Sequence, residues 1–165
     1  MNESNAIANL EAVFSKEEDP LRMRLMIFNH VSINGRIYVA ESKEHIQKLI
    51  DKKLYLTSGF ESNVDLISKD STFVEQQKAA TIDISKLIGQ FQDIEIVETG
   101  DIGVDDLPIF EVYGKLKFFE TLSTEFHKNC FDANIVTIGL RSFGYVNQDK
   151  KLILNQVVCW DTIVI

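Results

Sequence analysis

The sequence predicts one α+β domain across residues 1–165, with a mainly antiparallel sheet of about five or six strands packed by amphipathic helices. Four observations lead to this fold class. The length suits a single core, and 45% of the residues are hydrophobic, the usual share in globular proteins. An Asn-Gly turn signal near the start and a long apolar hairpin pattern at the end both indicate antiparallel pairing.

An amphipathic helix is the first expected element, over residues 5–17. Its apolar side chains recur at the spacing of one helix face: Ile7, Leu10, Val13 and Phe14. Pro20 lies just beyond the expected end, where a residue that cannot continue a helix is common. The predicted element order therefore begins with a helix, and a hairpin follows it.

A β-hairpin is predicted around the dipeptide Asn34-Gly35. The flanking segments, residues 23–33 and 36–41, are rich in Ile, Val, Phe and Tyr, which favour strands. Asn-Gly tolerates the positive φ angles of a type I′ turn, so the two segments are expected to pair with each other.

Helices and strands are expected to follow one another through the middle of the chain. Ser42 can cap a helix over residues 44–54, with Glu44 in its first turn, where the helix dipole favours an anion. The later segments are predicted as a loop (61–71), a helix (73–91), a strand (94–99), an acidic loop (100–108), a short strand (109–113) and a helix (116–130). Thr81-Ile82-Asp83 could break the helix over residues 73–91.

A second hairpin is predicted at the C-terminus, from two extended segments, residues 134–146 and 151–165. The link over residues 147–150 has the length and composition of a hairpin loop. Gly144 is expected to mark a bulge or bend in the first of these strands. The last segment is apolar on both faces, which predicts a strand at the centre of the sheet.

The charge of the chain excludes two function classes. The net charge is −8, with 25 acidic and 17 basic side chains. Nucleic-acid affinity comes largely from phosphate neutralisation by Lys and Arg, and anionic membranes also attract basic segments. We therefore expect neither a nucleic-acid partner nor a membrane. A basic protein is a candidate partner instead.

The N-terminal segment and the cysteines indicate a cytoplasmic protein. The opening residues have no basic and apolar regions of a signal peptide, and no apolar run approaches the roughly 20 residues of a membrane span. Cys130 and Cys159 are the only cysteines, which is too few for a disulfide framework. We interpret both as reduced thiols.

Residues that could carry catalysis or bind metal are sparse, and no cofactor is indicated. The histidines are His30, His45 and His127, and only His127 and Cys130 have helical spacing for a shared zinc ion, which needs further ligands. Cys159 lies in an apolar segment, where a thiol is structural rather than nucleophilic. An acidic cluster between Asp93 and Asp106 lacks the EF-hand spacing for calcium and is interpreted as solvated surface. No catalytic or metal-binding residue is therefore assigned.

Aromatic side chains point instead to a ligand pocket between the sheet and the helices. Ligand pockets are mostly apolar, with a few polar groups that orient the ligand. The candidate lining residues are Phe28, Tyr38, Tyr145 and Trp160, with Asn155 and Gln156 as the polar groups. The expected ligand is small and apolar or aromatic. The alternative is that these aromatic residues simply fill the core.

The segment Asn34-Gly35-Arg36-Ile37-Tyr38-Val39, followed by the helix over residues 44–54, resembles the opening of PAS-like sensory domains. The wider element order is similar to that of PAS, GAF and LuxR-type autoinducer-binding domains. This resemblance implies a small ligand held between an antiparallel sheet and its helices, and a signal passed to a partner. The leading hypothesis is therefore a non-catalytic ligand-binding or sensory module.

Two other function classes stay open. The first is an acidic interaction module such as an inhibitor, immunity factor or secretion chaperone, steered towards a basic partner by its charge. The second is an enzyme or binding protein of the NTF2-like kind, whose middle section is similar to residues 83–96 and 113–115. That class would need an Asp–His pair in a cavity, with His30 or His127 as the candidates. An exposed edge strand could also pair two copies into a homodimer.

Overall fold

The computed structural model describes residues 4–10, 13–14, 22–32, 35–51, 54–59, 66–67, 73–120 and 122–164. The strands are β1 (Ser4–Leu10), β2 (Val13–Phe14), β3 (Arg22–Phe28), β4 (Tyr55–Thr57), β5 (Leu66–Ile67), β6 (Leu87–Ile102), β7 (Pro108–Phe118), β8 (Val136–Val146) and β9 (Leu152–Val164). The helices are α1 (Lys43–Ile50), α2 (Phe73–Ala80) and α3 (Leu122–Asp132), with short 3₁₀ turns at Ile84–Lys86 and Val104–Asp106.

The described strands form one curled sheet in the order β2-β3-β7-β6-β4-β9-β8-β1-β5. Six of them have seven or more residues, and the other three have two or three. Every pair of adjacent strands is antiparallel except β4 and β9, which run parallel. The predicted α+β class with a mainly antiparallel sheet is confirmed.

The predicted N-terminal helix is wrong in the part of residues 5–17 that the structure describes. Residues Ser4–Leu10 form a strand that pairs antiparallel with β8 along its whole length, from Ser4 opposite Tyr145 to Leu10 opposite Gly139. Pairing with a distant strand satisfies the same backbone groups that a helix would satisfy locally, so tertiary context overrides the local periodicity. Residues 11–12 and 15–17, and Pro20 with them, lie outside the described residues.

The first predicted hairpin is present only as a short reversal. Gly35 has a φ of 76°, and the Asn29 N–H donates to the Tyr38 carbonyl at 2.7 Å, so the chain does turn back here. The arms are not long strands, because β3 pairs with β2 and β7 instead. The returning arm joins the start of β9, where the Val39 N–H donates to the Leu152 carbonyl at 3.0 Å. Asn34 lies outside the described residues.

The helix after this reversal begins as expected and ends early. The His45 N–H donates to the Ser42 Oγ at 3.2 Å, which confirms Ser42 as the N-cap of α1. The helix ends at Ile50 rather than at residue 54. Ile46 and Ile50 are buried, so one face of α1 covers the sheet.

The helix predicted over residues 73–91 is wrong beyond Ala80. The chain leaves α2 there, makes a 3₁₀ turn and enters β6 at Leu87. Asp83 caps the turn, since its side chain accepts hydrogen bonds from the Ser85 N–H and Oγ. The predicted strands over residues 94–99 and 109–113 are confirmed within the longer β6 and β7. These strands also include part of the segment 100–108, which was predicted as an acidic loop. The last helix, α3, begins at Leu122 rather than at residue 116.

The C-terminal hairpin is confirmed, and β9 is central, between β4 and β8. The register of β8 and β9 shifts between Phe143 and Gly144, which confirms the bulge predicted at Gly144. A Cβ on Gly144 would lie 2.3 Å from the Ile153 carbonyl oxygen, so only glycine allows this close approach.

The two faces of β9 have different surroundings. Trp160 packs on one face in the hydrophobic core, with its ring edge-on to Phe91 at 5.5 Å between centroids. The other face carries a group of buried polar side chains below the end of α2. None of the helices in the described part of the chain is long and apolar enough to cross a bilayer.

Candidate functional site

Three neighbouring strands place four buried side chains together. We call this group the polar cluster; its members are Thr57, Arg141, Cys159 and Asp161. Arg141 of β8 lies opposite Cys159 of β9, and Thr57 of β4 lies opposite Asp161. Side chains two apart on a strand share a face, so Cys159 and Asp161 both point towards α2. The cluster therefore follows directly from the register of the sheet.

Arg141 and Asp161 form a buried ion pair at the centre of the cluster. Arg141 Nη2 donates to Asp161 Oδ1 at 3.1 Å, and Nε lies 3.0 Å from Oδ2 without the geometry of a second hydrogen bond. Thr57 Oγ1 also donates to Asp161 Oδ1. The Arg141 Nη2 lies 2.8 Å from the Cys159 Sγ.

The same arginine ties α2 to the sheet. Its Nη1 lies 3.2 Å from the Thr81 carbonyl oxygen and 3.5 Å from that of Ala79, at the C-terminal end of the helix. Carbonyls at a helix C-terminus have no partner within the helix, and a cation there also interacts favourably with the helix dipole. Arg141 therefore holds the end of α2 over β8 and β9.

Burial controls the ionisation of this cluster. It raises the pKa of Asp161, and the Arg141 guanidinium and the Thr57 hydroxyl oppose that rise without cancelling it. Burial, with the neighbouring Asp161 charge, also raises the pKa of Cys159 to about 12. The thiol is therefore protonated at neutral pH. A thiol, unlike a thiolate, is a poor nucleophile, so the raised pKa favours a structural role for Cys159.

Alkylation should show this protection directly. In a Cys130→Ser variant, native Cys159 is expected to react with iodoacetamide at least about a thousandfold more slowly than the unfolded chain near pH 8, because its thiolate is about three pKa units scarcer. By the same linkage, the contribution of this thiol to stability is complete below pH 9 and is lost as the pH rises towards 12. A native rate within tenfold of the unfolded rate would contradict the buried, protonated thiol.

A cavity of about 730 Å³ opens above the polar cluster, between α2, the segment 81–86 and residues of β4 and β8. This volume lies in the range typical of small-molecule sites. Its lining residues are Thr57, Gly59, Val74, Gln77, Lys78, Thr81, Ile82, Asp83, Ile84, Lys86 and Arg141. Two members of the polar cluster, Thr57 and Arg141, thus form part of its floor.

The walls of this cavity combine aliphatic and charged side chains. Val74 and Ile84 are 73% and 81% exposed, which is high for large aliphatic residues. Lys78, in the last turn of α2, and Lys86 supply two cations. The anion is Asp83, whose pKa is lowered mainly by the hydrogen bonds that it accepts from Ser85. The cavity is therefore amphipathic rather than purely apolar.

The six residues predicted to line a pocket are not brought together around this cavity, and none of them lines it. Phe28, Tyr38 and Trp160 are fully buried in the core, where Phe28 and Tyr38 pack edge-on at 6.4 Å between ring centroids. Tyr145 is half-buried, and Asn155 and Gln156 are exposed on β9.

The histidines and the second cysteine also lie away from the cavity. His30 is exposed, and His127 is half-buried beside the ring of Phe126. Cys130 is buried on α3. Across the described residues, no group of three or more His, Cys, Asp or Glu side chains is arranged to hold a metal ion.

Sequence analysis missed every residue that lines the cavity, and Asp161 as well. Arg141 and Asp161 are the two that a sequence signal could have identified. The available signal was a charged residue within each of two apolar segments that were predicted as strands. A charge buried in a sheet needs a partner, and opposite charges on adjacent strands can supply each other.

No protein-family model, curated protein or solved structure matches this chain. The resemblance to PAS-like and GAF-like domains stays a prediction.

Proposed function

We propose that this chain is a non-catalytic module that binds a small molecule in the cavity beneath α2. One observation carries the proposal: a space of about 730 Å³ lies between a helix and the sheet, with aliphatic walls and polar groups at its floor. Most small-molecule sites have this combination of an apolar lining and a few orienting polar groups.

The cavity is also preorganised, which favours binding. Two residues of its floor, Thr57 and Arg141, are held in place by Asp161 beneath them, and Arg141 in turn holds the end of α2. A site whose walls are already ordered loses less conformational entropy when the ligand binds.

The chemistry of the floor supports binding rather than catalysis. Arg141 directs its nitrogens at Asp161, Cys159 and two backbone carbonyls, all within 3.5 Å. The Cys159 thiol stays protonated even well above neutral pH, because its pKa is raised to about 12. These groups hold the cavity in shape, and their contacts leave them poorly suited to attack a ligand.

Binding of a neutral apolar dye tests the proposal. N-phenyl-1-naphthylamine is expected to bind the native protein with a rise in fluorescence, and Val74→Trp is expected to weaken binding at least about tenfold, since the indole would occupy the cavity. Ile102→Trp is the matched control, because Ile102 is another exposed aliphatic residue, 64% exposed, that does not line the cavity. Equal binding by wild type and Val74→Trp would overturn the proposal.

A second candidate is the acidic interaction module. The end of the β6–β7 hairpin presents Glu98, Asp101 and Asp106 on an exposed surface around Ile102. Such a patch, acidic with an apolar centre, suits a basic protein partner. For this candidate, Asp101→Lys should weaken binding of that partner, and Asp149→Lys, on the exposed β8–β9 turn, should not.

A further inference from the structure

We infer that the ligand of this cavity is an organic monoanion with an apolar or aromatic body, such as a carboxylate or sulfonate. The inference rests on the proposed function, and it goes further by assigning the charge of the ligand. The cavity wall carries two lysines and one aspartate, which leaves one net positive charge beside the neutralised pair of Arg141 and Asp161.

This local charge is opposite to that of the whole chain, whose net charge is −8. Within the described residues, neither Lys78 nor Lys86 lies at ion-pair distance from a carboxylate, although the charge of Lys86 contributes to lowering the pKa of Asp83. Lys86 is half-buried, and a cation beside a protein surface of lowered dielectric attracts an anion more strongly than one in open water. The two ammonium groups are therefore the natural partners of a ligand's negative charge.

Asp83, the acidic residue of the cavity wall, competes only in part with a bound anion for the two lysines. The Asp83 carboxylate accepts from the Ser85 N–H at 3.0 Å and from the Ser85 Oγ at 2.6 Å. These bonds direct Oδ1 of Asp83 at its own 3₁₀ turn, and the turn ends at Lys86. Asp83 thus caps the 3₁₀ turn that forms part of the cavity wall, while Lys78 and Lys86 provide the donors for a bound anion.

The aliphatic residues of the cavity wall indicate that the uncharged part of the ligand is apolar. Val74, Ile82 and Ile84 line the cavity together, and two of them are largely exposed as the structure stands. Covering such side chains removes apolar surface from water, which favours binding. A small inorganic anion would satisfy the lysines alone, so an amphipathic ligand fits this wall better.

Two dyes with the same aromatic body separate charge from shape. 8-Anilinonaphthalene-1-sulfonate is N-phenyl-1-naphthylamine with one added sulfonate. We expect the sulfonate to bind about fivefold more tightly than the neutral dye at low salt, as two partly exposed ion pairs would provide. The Lys78→Gln/Lys86→Gln variant should lose this advantage, so that the ratio of the two dye affinities falls to about one.

The matched control is Lys43→Gln/Lys48→Gln, which removes the same charge from α1, away from the cavity. It should keep the fivefold preference. If the neutral dye binds in a Val74-dependent manner and the sulfonate shows no lysine-dependent preference, the inference fails and the proposed function stands. If neither dye depends on Val74, both fail.

Discussion

Replacing Asp161 with alanine is expected to lower the free energy of unfolding by about 3–5 kcal/mol, the usual effect of removing one partner from a buried ion pair. The variant leaves the Arg141 guanidinium buried without its counter-ion, and it also removes the acceptor of the Thr57 hydroxyl. Urea unfolding followed by the fluorescence of Trp160, the only tryptophan and fully buried, measures the change.

Two further variants separate this effect from a general loss of charge. Glu95→Ala removes the Arg22–Glu95 pair, in which the glutamate side chain is 59% exposed, and should cost less than about 1 kcal/mol. The double variant Arg141→Met/Asp161→Leu should recover more than half of the loss, because no unpaired charge remains buried. A double variant as unstable as Asp161→Ala would show that the loss comes from other contacts of the cluster, such as those of Arg141 with α2, rather than from an unpaired buried charge.

Replacing Gly103 with alanine is expected to cost about 3 kcal/mol, from overpacking together with a lost hydrogen bond. A Cβ at this position would lie 1.9 Å from the Asn29 carbonyl oxygen, which accepts from the Val104 N–H at 2.9 Å. Asn29 is itself a buried connector, since its side chain bonds the backbone of Ala40 and Pro108. The clash would therefore disturb the junction of two loops with β7.

Gly100→Ala is the matched control for this steric effect. Gly100 has a φ of 87°, and a Cβ added there would meet nothing within 4 Å, whereas Gly103 has a φ of −99°. The control should cost about 1 kcal/mol, from backbone strain alone. Equal losses for the two variants, in the same urea experiment, would mean that the contact with Asn29 is unimportant.

Sequence reasoning predicted the elements whose signals are local. The Ser42 cap and the apolar face of Ile46 and Ile50 mark α1 within a few residues. The terminal hairpin and its Gly144 bulge were also predictable, because two long extended segments flank a short turn. The composition of the last segment even indicated its central position, since a strand apolar on both faces is covered on both sides.

Elements whose structure depends on pairing with distant segments of the chain could not be predicted from local patterns. The spacing of apolar residues over 5–17 suits a helix, yet β1 pairs with β8, more than 120 residues later in the chain. Similarly, the stripe over 73–91 continues through Leu87 and Phe91, which instead pair with β4 and β7. Periodicity describes a face that must be buried, and it does not identify the surface that buries it.

The site was harder to predict than the fold. Its floor depends on Arg141, Asp161 and Thr57 meeting across three strands, and one of these strands, β4, has only three residues. Aromatic residues were the more visible candidates, but Trp160 and Tyr38 fill the core. Apolar residues indicate where a core can form, whereas a cavity depends on the placement of neighbouring elements.

Chemical-shift perturbation by N-phenyl-1-naphthylamine tests the cavity most directly, because it locates the bound dye residue by residue. We expect the largest amide shifts at Thr57, Gly59 and the segment 81–86, and we expect Val74→Trp to abolish them. Shifts confined to the groove between α1 and β6, at Lys43, Lys48 and Ile96, would contradict this expectation.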